Sequence, residues 1–291
     1  MFIATLIAAP GLLDPSLVDN LRNAWGKGDA LWLATDEAAE FPLSTLPRNR
    51  CQTWRDLQKL QVDMILQPIN NRRKKILLAD MDSTMIQQEC IDELADQVGI
   101  GAAVHDITAR AMNGELDFEV ALRERIALFK GQSAEIIDQV LAERVDLMPG
   151  GKVLVSTMQR YGAYTALVSG GFTAFSSVIA AELGFDEHRG NQLLIKDGLL
   201  TGKLAPPILG RQAKVDALNA ITSSLGHSDS DVIAVGDGAN DLGMLERAGT
   251  GVALHAKPSV AAQCKVRVNF GNLTSLLYLQ GYRKAEFVKP G

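Results

Sequence analysis

The chain has 291 residues, of which 47% are hydrophobic, and a formal net charge of −5. A chain of this length usually forms about two domains with substantial cores, and the mildly acidic balance excludes the basic stripe that nucleic-acid binding needs. The apolar segment 1–10 is too short to span a membrane and lacks a basic n-region, so it predicts a first strand. Three widely spaced cysteines form neither a metal-ligand pattern nor a disulfide framework, which favours a cytoplasmic protein.

The first 70 residues predict a small ferredoxin-like module. Its predicted elements are, in chain order, a strand over 2–9, a helix from Asp14 to about Trp25, a strand over Leu31–Ala34, a weak strand near Phe41–Ser44 that Pro42 breaks, a helix over Thr53–Leu60 and a strand over Val62–Gln67. The order β-α-β-β-α-β is a split βαβ pattern. We find no cluster of catalytic residue types in this segment.

A charged linker, 71–75, precedes the apolar run Ile76–Ala79, which predicts the first strand of a second domain over 71–291. From about 86 to 149 the pattern is helical throughout. The predicted helices cover 87–98, 105–113, 117–130 and 133–145. A helical insert directly after the first strand predicts a cap over the carboxyl end of that strand.

From Gly151 onwards the sequence alternates between helix and strand patterns. The predicted elements are a helix over 151–161, a strand over 163–168, a helix over 173–183, a hairpin over 188–204 that turns at Asp197-Gly198, a helix over 211–224, a strand over 232–236, a helix over 240–248, and strands over 251–254 and 266–269. This alternation predicts an α/β fold with a parallel, doubly wound, Rossmann-like sheet.

Two acidic clusters follow predicted strands of this sheet. Asp80 and Asp82 come directly after Ile76–Ala79, and Asp237 follows the strand over 232–236 with Asp241 close behind. Open parallel sheets place their chemistry at the carboxyl ends of the strands, so the two clusters should meet. We predict a Mg²⁺ site formed by Asp80, Asp237 and Asp82, the last through its backbone carbonyl.

These clusters suit hydrolysis of a phosphate ester through a covalent intermediate. Asp80 is the predicted nucleophile and Asp82 the predicted general acid and base. Ser169-Gly170-Gly171 at a helix N-terminus and Lys214 in the first turn of another helix can donate to phosphoryl oxygens. Taken singly, each motif has an ordinary interpretation as a turn, a cap or a solvated charge. Their order along the chain favours the phosphoryl-transfer interpretation.

Over residues 76–270 these motifs resemble the haloacid dehalogenase superfamily of phosphohydrolases. The motifs are Asp80-Met81-Asp82-Ser83-Thr84, Ser169-Gly170-Gly171-Phe172, Lys214 and Gly236-Asp237-Gly238-Ala239-Asn240-Asp241. The cap segments 88–92 and 122–126 resemble those of the branch that acts on phosphoserine. The resemblance implies Mg²⁺-dependent hydrolysis of O-phosphoserine to L-serine and phosphate through an aspartyl-phosphate, the last step of serine biosynthesis.

Carried over residue by residue, the resemblance implies five substrate contacts in addition to the phosphate donors. Glu89 would bind the serine ammonium and Arg125 its carboxylate, a pairing that suits a zwitterion. Met112 and Phe118 would pack around the substrate, and Asn240 would lie near the phosphate. Met81 stands where the superfamily often has Phe, and we expect little effect because its side chain should point away from the phosphate.

The N-terminal segment resembles the amino-acid-sensing, ACT-like modules that some members carry. It lacks the Gly-rich ligand loop usual in them, so it could serve only to form a homodimer.

Two alternatives stay open from the sequence. The first is a phosphotransferase with the same core that transfers the phosphoryl group to an alcohol such as homoserine. The second is an amino-acid sensor without turnover, although the full set of expected catalytic residues argues against it.

Overall fold

A computed structural model of the chain describes residues 1–26, 28–112 and 115–289, and it leaves the side chain of Met112 undescribed. Within these ranges, no helix combines the length and apolar character needed to cross a lipid bilayer.

The N-terminal segment folds into an antiparallel sheet covered by two helices. Its elements are β1 (Phe2–Ile7), α1 (Pro15–Trp25), β2 (Leu31–Ala34), β3 (Ala38–Leu43), α2 (Arg50–Lys59) and β4 (Asp63–Pro68), with the sheet order β2-β3-β1-β4. The predicted split βαβ order is therefore confirmed. The predicted break at Pro42 is wrong, because β2 pairs with β3 only as far as Glu40 and Pro42 has a strand partner on one side alone.

Both faces of this sheet are buried. Leu6 and Phe41 point toward the two helices and pack with Val18 and Leu57. On the opposite face, Ile7 and Ile65 belong to the main hydrophobic core of the molecule, together with Tyr278. The N-terminal segment is thus packed onto the rest of the protein through an apolar surface, which stabilises it at this position.

The second sheet is parallel and has six strands in the described chain. Its strands are β5 (Ile76–Ala79), β6 (Tyr164–Phe172), β7 (Glu187–Asn191), β10 (Val232–Gly236), β11 (Thr250–Leu254) and β12 (Val266–Val268), in the order β12-β11-β10-β5-β6-β7. The helices around it are α7 (Gly151–Arg160), α8 (Thr173–Leu183), α9 (Arg211–Leu225), α10 (Leu242–Arg247), α11 (Pro258–Ala261) and α12 (Ser275–Leu279). The α/β, doubly wound prediction is confirmed. Since β5 lies between β10 and β6, the motifs that follow these three strands meet at one edge.

The helical insert follows β5 as predicted. Its helices are α3 (Cys90–Gln97), α4 (Gly101–Met112), α5 (Phe118–Ala127) and α6 (Glu135–Glu143), each somewhat offset from or shorter than its predicted range. An isolated bridge between Ile86 and Leu147 closes the base of the insert. The insert therefore joins the core through two adjacent chain segments.

Two strand predictions need correction. The hairpin predicted over 188–204 is shorter: β7 pairs in parallel with β6, and only β8 (Leu193–Lys196) and β9 (Leu199–Leu204) form the hairpin. The polar sequence of β7 suits an edge strand of the large sheet as well as a hairpin, so sequence pattern did not separate the two. The strand β6 also continues to Phe172. The Ser169-Gly170-Gly171 motif therefore forms the end of this strand and does not follow it.

Candidate active site

Three buried carboxylates lie together at the carboxyl edge of the parallel sheet. Asp80 follows β5, Asp237 follows β10, and Asp241 lies at the start of α10. Carboxylate oxygens of the three lie within 4.8 Å of one another. Asp241 also accepts a hydrogen bond from the Gly238 N–H at 2.9 Å, and Asp237 accepts one from the fully buried Thr84 hydroxyl at 3.1 Å. These bonds fix the carboxylates in place.

Lys214 on α9 neutralises part of this cluster. Its Nζ lies 2.6 Å from Asp80 Oδ1 and 2.5 Å from Asp241 Oδ1, and the residue is only 2% exposed. Burial alone would lower the pKa of Lys214, but the two carboxylates raise it overall, so the amine stays protonated. Burial and the charge of Asp241 raise the pKa of Asp80, and Lys214 opposes that rise.

The Asp82 carboxylate is held away from the three-carboxylate cluster. Its Oδ1 accepts a hydrogen bond from the Cys90 N–H at 2.8 Å, and its Oδ2 accepts one from the Ser169 hydroxyl at 3.2 Å. Cys90 begins the first cap helix, so Asp82 links cap and core. The prediction that Asp82 contributes to a metal site only through its carbonyl stays a prediction.

The Ser-Gly-Gly motif needs glycine for space. A Cβ on Gly171 would lie 2.6 Å from Asp82 Oδ2, and a Cβ on Gly170 would lie 3.3 Å from the Phe118 ring. The Gly171 N–H donates to Ser169 Oγ at 2.7 Å, so this hydroxyl and amide already lie in one hydrogen-bonded turn. A side chain at Gly171 would displace the carboxylate that we expect to transfer protons.

Core and cap enclose a cavity of about 530 Å³. Asp80, Asp82 and Asp237 line its floor, whereas Glu89 and Arg125 line it from the cap. The predicted catalytic carboxylates and the two predicted ends of the substrate site therefore share one cavity. Asn240 also lines it.

The two charged cap residues have few partners of their own. Glu89 accepts a hydrogen bond from the Ser83 hydroxyl at 2.9 Å, and burial, together with the charge of Asp82, raises the pKa of Glu89 to about 7. Within the described part of the chain, Arg125 donates to the Ala121 carbonyl at 3.3 Å and to the Thr108 hydroxyl at 3.5 Å, and to no other group. Among the residues described, no carboxylate oxygen lies within 4.0 Å of Arg125, which leaves a cation available to a ligand.

The cap rests on the core in this structure. The Phe118 ring packs against Gly170 and Gly210, whose added Cβ atoms would lie 3.3 and 3.2 Å from it. The predicted contact of Met112 falls on a side chain outside the described part of the structure.

A family model for haloacid dehalogenase-like hydrolases matches residues 77–246, more than half of the chain. The chain belongs to the haloacid dehalogenase-like hydrolases. It is 47% identical over 204 residues to a phosphoserine phosphatase from Haemophilus influenzae, an alignment that covers 70% of this chain and 65% of that enzyme. The match thus spans a little under two thirds of that relative.

Solved structures of hydrolases resemble this one closely. A HAD family hydrolase from Salmonella enterica serovar Typhi superposes with a TM-score of 0.86 at 30% identity, covering 96% of this chain and 98% of that one. A phospho-aspartyl intermediate analogue of a phosphoserine phosphatase superposes with a TM-score of 0.66 at 36% identity, covering 70% and 98%. The superposition with the Salmonella structure includes the N-terminal sheet as well as the core.

The acidic cluster of this hydrolase could hold a divalent metal ion. Asp80, Asp237 and Asp241 supply hard oxygen donors, and all three are 6% exposed or less. Three carboxylates with one lysine leave an excess of negative charge in a buried site, which a hard cation would compensate. The donor set therefore fits the group that the family implies.

Three residues that line or support the site were not singled out from the sequence. Thr84 binds Asp237, and Asn191 on β7 donates to the carbonyls of Gly170 and Leu209 at 2.8 and 3.2 Å. Lys257 lines the cavity from the loop after β11. The position of Thr84 inside the first motif was a usable signal, whereas nothing in the local sequence marks Asn191 or Lys257.

Proposed function

We propose that this hydrolase dephosphorylates O-phosphoserine to L-serine and inorganic phosphate, with Mg²⁺ as its cofactor. The observation that carries the proposal is the pair Glu89 and Arg125 in the cavity that also contains Asp80. A carboxylate, and a guanidinium with no carboxylate partner among the described residues, suit the ammonium and carboxylate of an amino acid. The named activity of the Haemophilus relative supports the same substrate.

In the proposed mechanism Asp80 is the nucleophile and Asp82 the proton carrier. A carboxylate oxygen of Asp80 attacks phosphorus, the bond to the seryl oxygen breaks, and Asp82 protonates that oxygen as it leaves. Asp82 then takes a proton from water, which attacks the aspartyl-phosphate and releases phosphate with Asp80 regenerated. The hydrogen bond from the Cys90 N–H orients Asp82 for both steps.

The remaining polar groups bind the phosphoryl oxygens and the metal. Lys214 holds Asp80 at 2.6 Å, and the Gly170 N–H donates to the transferring group, with Asn240 nearby. When the substrate binds, the Ser169 hydroxyl and the Gly171 N–H leave their present acceptors, Asp82 and Ser169 Oγ, and donate to the same group. Mg²⁺ would be held by Asp80, Asp237 and the Asp82 carbonyl, with Asp241 beside it, and when bound it reduces the repulsion between carboxylate and phosphate.

The cap residues select the substrate. Glu89 binds the ammonium, Arg125 binds the carboxylate, and Phe118 closes the cavity, which excludes water from the reacting atoms. Met112 is assigned beside Phe118 on the resemblance alone.

The same proposal covers the organisation of the chain. Residues 1–70 are an ACT-like module, and 71–291 are the phosphatase domain with its cap over about 86–149. A homodimer through the module would use its strand edges or helices, since both faces of its sheet are buried. Sedimentation of the purified protein tests this.

We place the protein in the cytoplasm on the basis of its three free thiols.

Phosphate release from O-phospho-L-serine, sugar phosphates and other phosphorylated acids tests the substrate and metal together. We expect strong preference for phosphoserine with Mg²⁺ and loss of turnover with EDTA. Activity spread evenly over the panel would contradict the substrate assignment. Phosphoryl transfer to added homoserine in place of phosphate release would contradict hydrolysis.

A further inference from the structure

Asp63, the first residue of β4 in the N-terminal sheet, holds a loop of the phosphatase core. The residue has no exposed surface, and its carboxylate accepts three consecutive backbone N–H groups, from Asn269 at 2.9 Å, Phe270 at 3.0 Å and Gly271 at 2.9 Å. Burial raises the pKa of Asp63, and these three bonds oppose the rise. Three convergent N–H groups form a fixed site for one carboxylate.

The loop that Asp63 holds follows β12 at the carboxyl edge of the sheet. We call residues 269–273 the bridging loop. Its Gly271 carbonyl accepts a hydrogen bond from His255 Nε2 at 2.8 Å, and its Leu273 N–H donates to the Pro149 carbonyl at 3.2 Å. Pro149 lies at the end of the helical insert. The bridging loop therefore contacts both the base of the cap and the chain that follows β11.

His255 is held in an unusual backbone conformation. Its φ is 45°, in the left-handed region that residues other than glycine rarely adopt. Its backbone N–H donates to the Val268 carbonyl at 2.9 Å, so both its backbone and its ring are tied to β12 and the bridging loop. Without the Gly271 contact, the chain after β11 would lose the bond that holds this ring.

Two residues beyond His255, Lys257 lines the active-site cavity with Asp82, Glu89 and Asp237. Lys257 is therefore a cation that a phosphate dianion would meet at the cavity wall.

We propose that Asp63 is a positioning residue of the active site, which fixes Lys257 and the base of the cap through the bridging loop. The N-terminal module is then a working part of the catalytic unit. The kinetic part of this inference rests on the proposed function, whereas its structural part does not.

The test compares Asp63→Ala with Glu37→Ala. Glu37 is a matched control because it is also a buried carboxylate of the N-terminal segment, in the turn between β2 and β3, that binds the core through the Tyr278 hydroxyl at 2.8 Å and Lys284. Neither of these partners belongs to the bridging loop. Both variants should lose thermal stability. Only Asp63→Ala should lower kcat/KM for phosphoserine, by about tenfold or more, since small displacements of charged groups are costly.

Amide hydrogen exchange provides a readout that does not depend on turnover. We expect faster exchange at 147–151 and 255–259 in Asp63→Ala and unchanged exchange there in Glu37→Ala. Equal exchange and equal kinetics in the two variants would overturn the proposal. A wild-type protein inactive on phosphoserine would overturn only the proposed function, because exchange would still decide this inference.

Asp63→Asn, combined with Lys257→Met, covers the case in which Asp63→Ala does not fold. The amide keeps the size of the carboxylate and one acceptor oxygen. If Asp63 acts through Lys257, the double variant should lose little more kcat/KM than Lys257→Met alone. Fully additive losses would contradict the route through Lys257.

Discussion

The floor and the roof of the active-site cavity are built in different ways. On the floor, Asp80 is held by Lys214 at 2.6 Å, and the same Lys214 Nζ binds Asp241 at 2.5 Å. In the roof, which is the side of the cavity formed by the cap, Glu89 has one hydroxyl partner and Arg125 has two long contacts, at 3.3 and 3.5 Å, as far as the structure describes the chain. The floor thus holds its charges ready for a reaction common to many phosphate esters. The roof leaves its charges for the ligand to complete, which is where selectivity for one substrate can arise.

The largest expected effect comes from the floor. Asp80→Asn removes the nucleophile but keeps a side chain of the same size, while Lys214 retains Asp241. We expect turnover of every substrate to fall by at least roughly 10³-fold, with the circular dichroism spectrum unchanged. Phosphate release from phosphoserine and from an aryl phosphate measures this. Substantial activity in a folded variant would remove Asp80 from its assigned role.

Alanine substitutions at two adjacent glycines test the floor and the roof of the cavity separately. The Cβ of Gly171→Ala would lie 2.6 Å from Asp82 Oδ2, whereas that of Gly170→Ala would meet the outer end of the Phe118 ring at 3.3 Å. We expect Gly171→Ala to lower kcat by on the order of 10²-fold and Gly170→Ala to lower it much less, because a cap side chain can move. Steady-state kinetics of both variants checks this, and the reverse ranking would be evidence against the assigned position of Asp82.

Arg125→Ala should affect the roof alone. One charge-assisted contact is worth about 1.5–3 kcal/mol, so we expect kcat/KM for phosphoserine to fall by roughly 10- to 100-fold and that for an aryl phosphate to change little. Arg123→Ala is the matched control, since Arg123 lies on the same helix, is exposed and pairs with Glu119 at 2.5 Å. Equal losses on the two substrates would show that Arg125 supports the fold and not recognition.

The smallest expected effect is the dependence of the protein's stability on pH and on bound metal. Burial raises the pKa of Asp237 to about 6 and that of Glu89 to about 7. The folded, metal-free protein therefore binds more protons than the unfolded chain between about pH 4 and 7, so its stability falls as pH rises through this window. For Asp237, which is only 6% exposed, each pKa unit corresponds to about 1.4 kcal/mol; the contribution of the exposed Glu89 is smaller because solvent screens it.

Thermal unfolding in EDTA and in Mg²⁺, at pH 5 and pH 8, measures this dependence. We expect Mg²⁺ to raise the unfolding temperature by several degrees more at pH 8, because protons compete with the metal for Asp237 at low pH. A metal effect independent of pH would contradict the assignment of Asp237 to the metal site.

The two acidic clusters of the floor could be predicted from the sequence because each directly follows an apolar strand. Asp80 and Asp237 come together once β5 and β10 are neighbours, and the alternation of strands and helices predicts a parallel sheet. Lys257 and Asn191 could not be found in this way, because their positions depend on where a loop and an edge strand run. The strand across Pro42 and the shorter hairpin were missed for the same reason, since pairing partners decided them.

The most direct test of the division between floor and roof is to shorten the substrate for the wild-type enzyme. kcat/KM would be measured for O-phospho-L-serine, for phosphoethanolamine, which lacks the carboxylate, and for 3-phosphooxypropionate, which lacks the ammonium. We predict that each truncated substrate loses at least about tenfold in kcat/KM, because Arg125 or Glu89 then loses its partner in the cavity. Similar kcat/KM values for all three substrates would contradict a roof that recognises both ends of the amino acid.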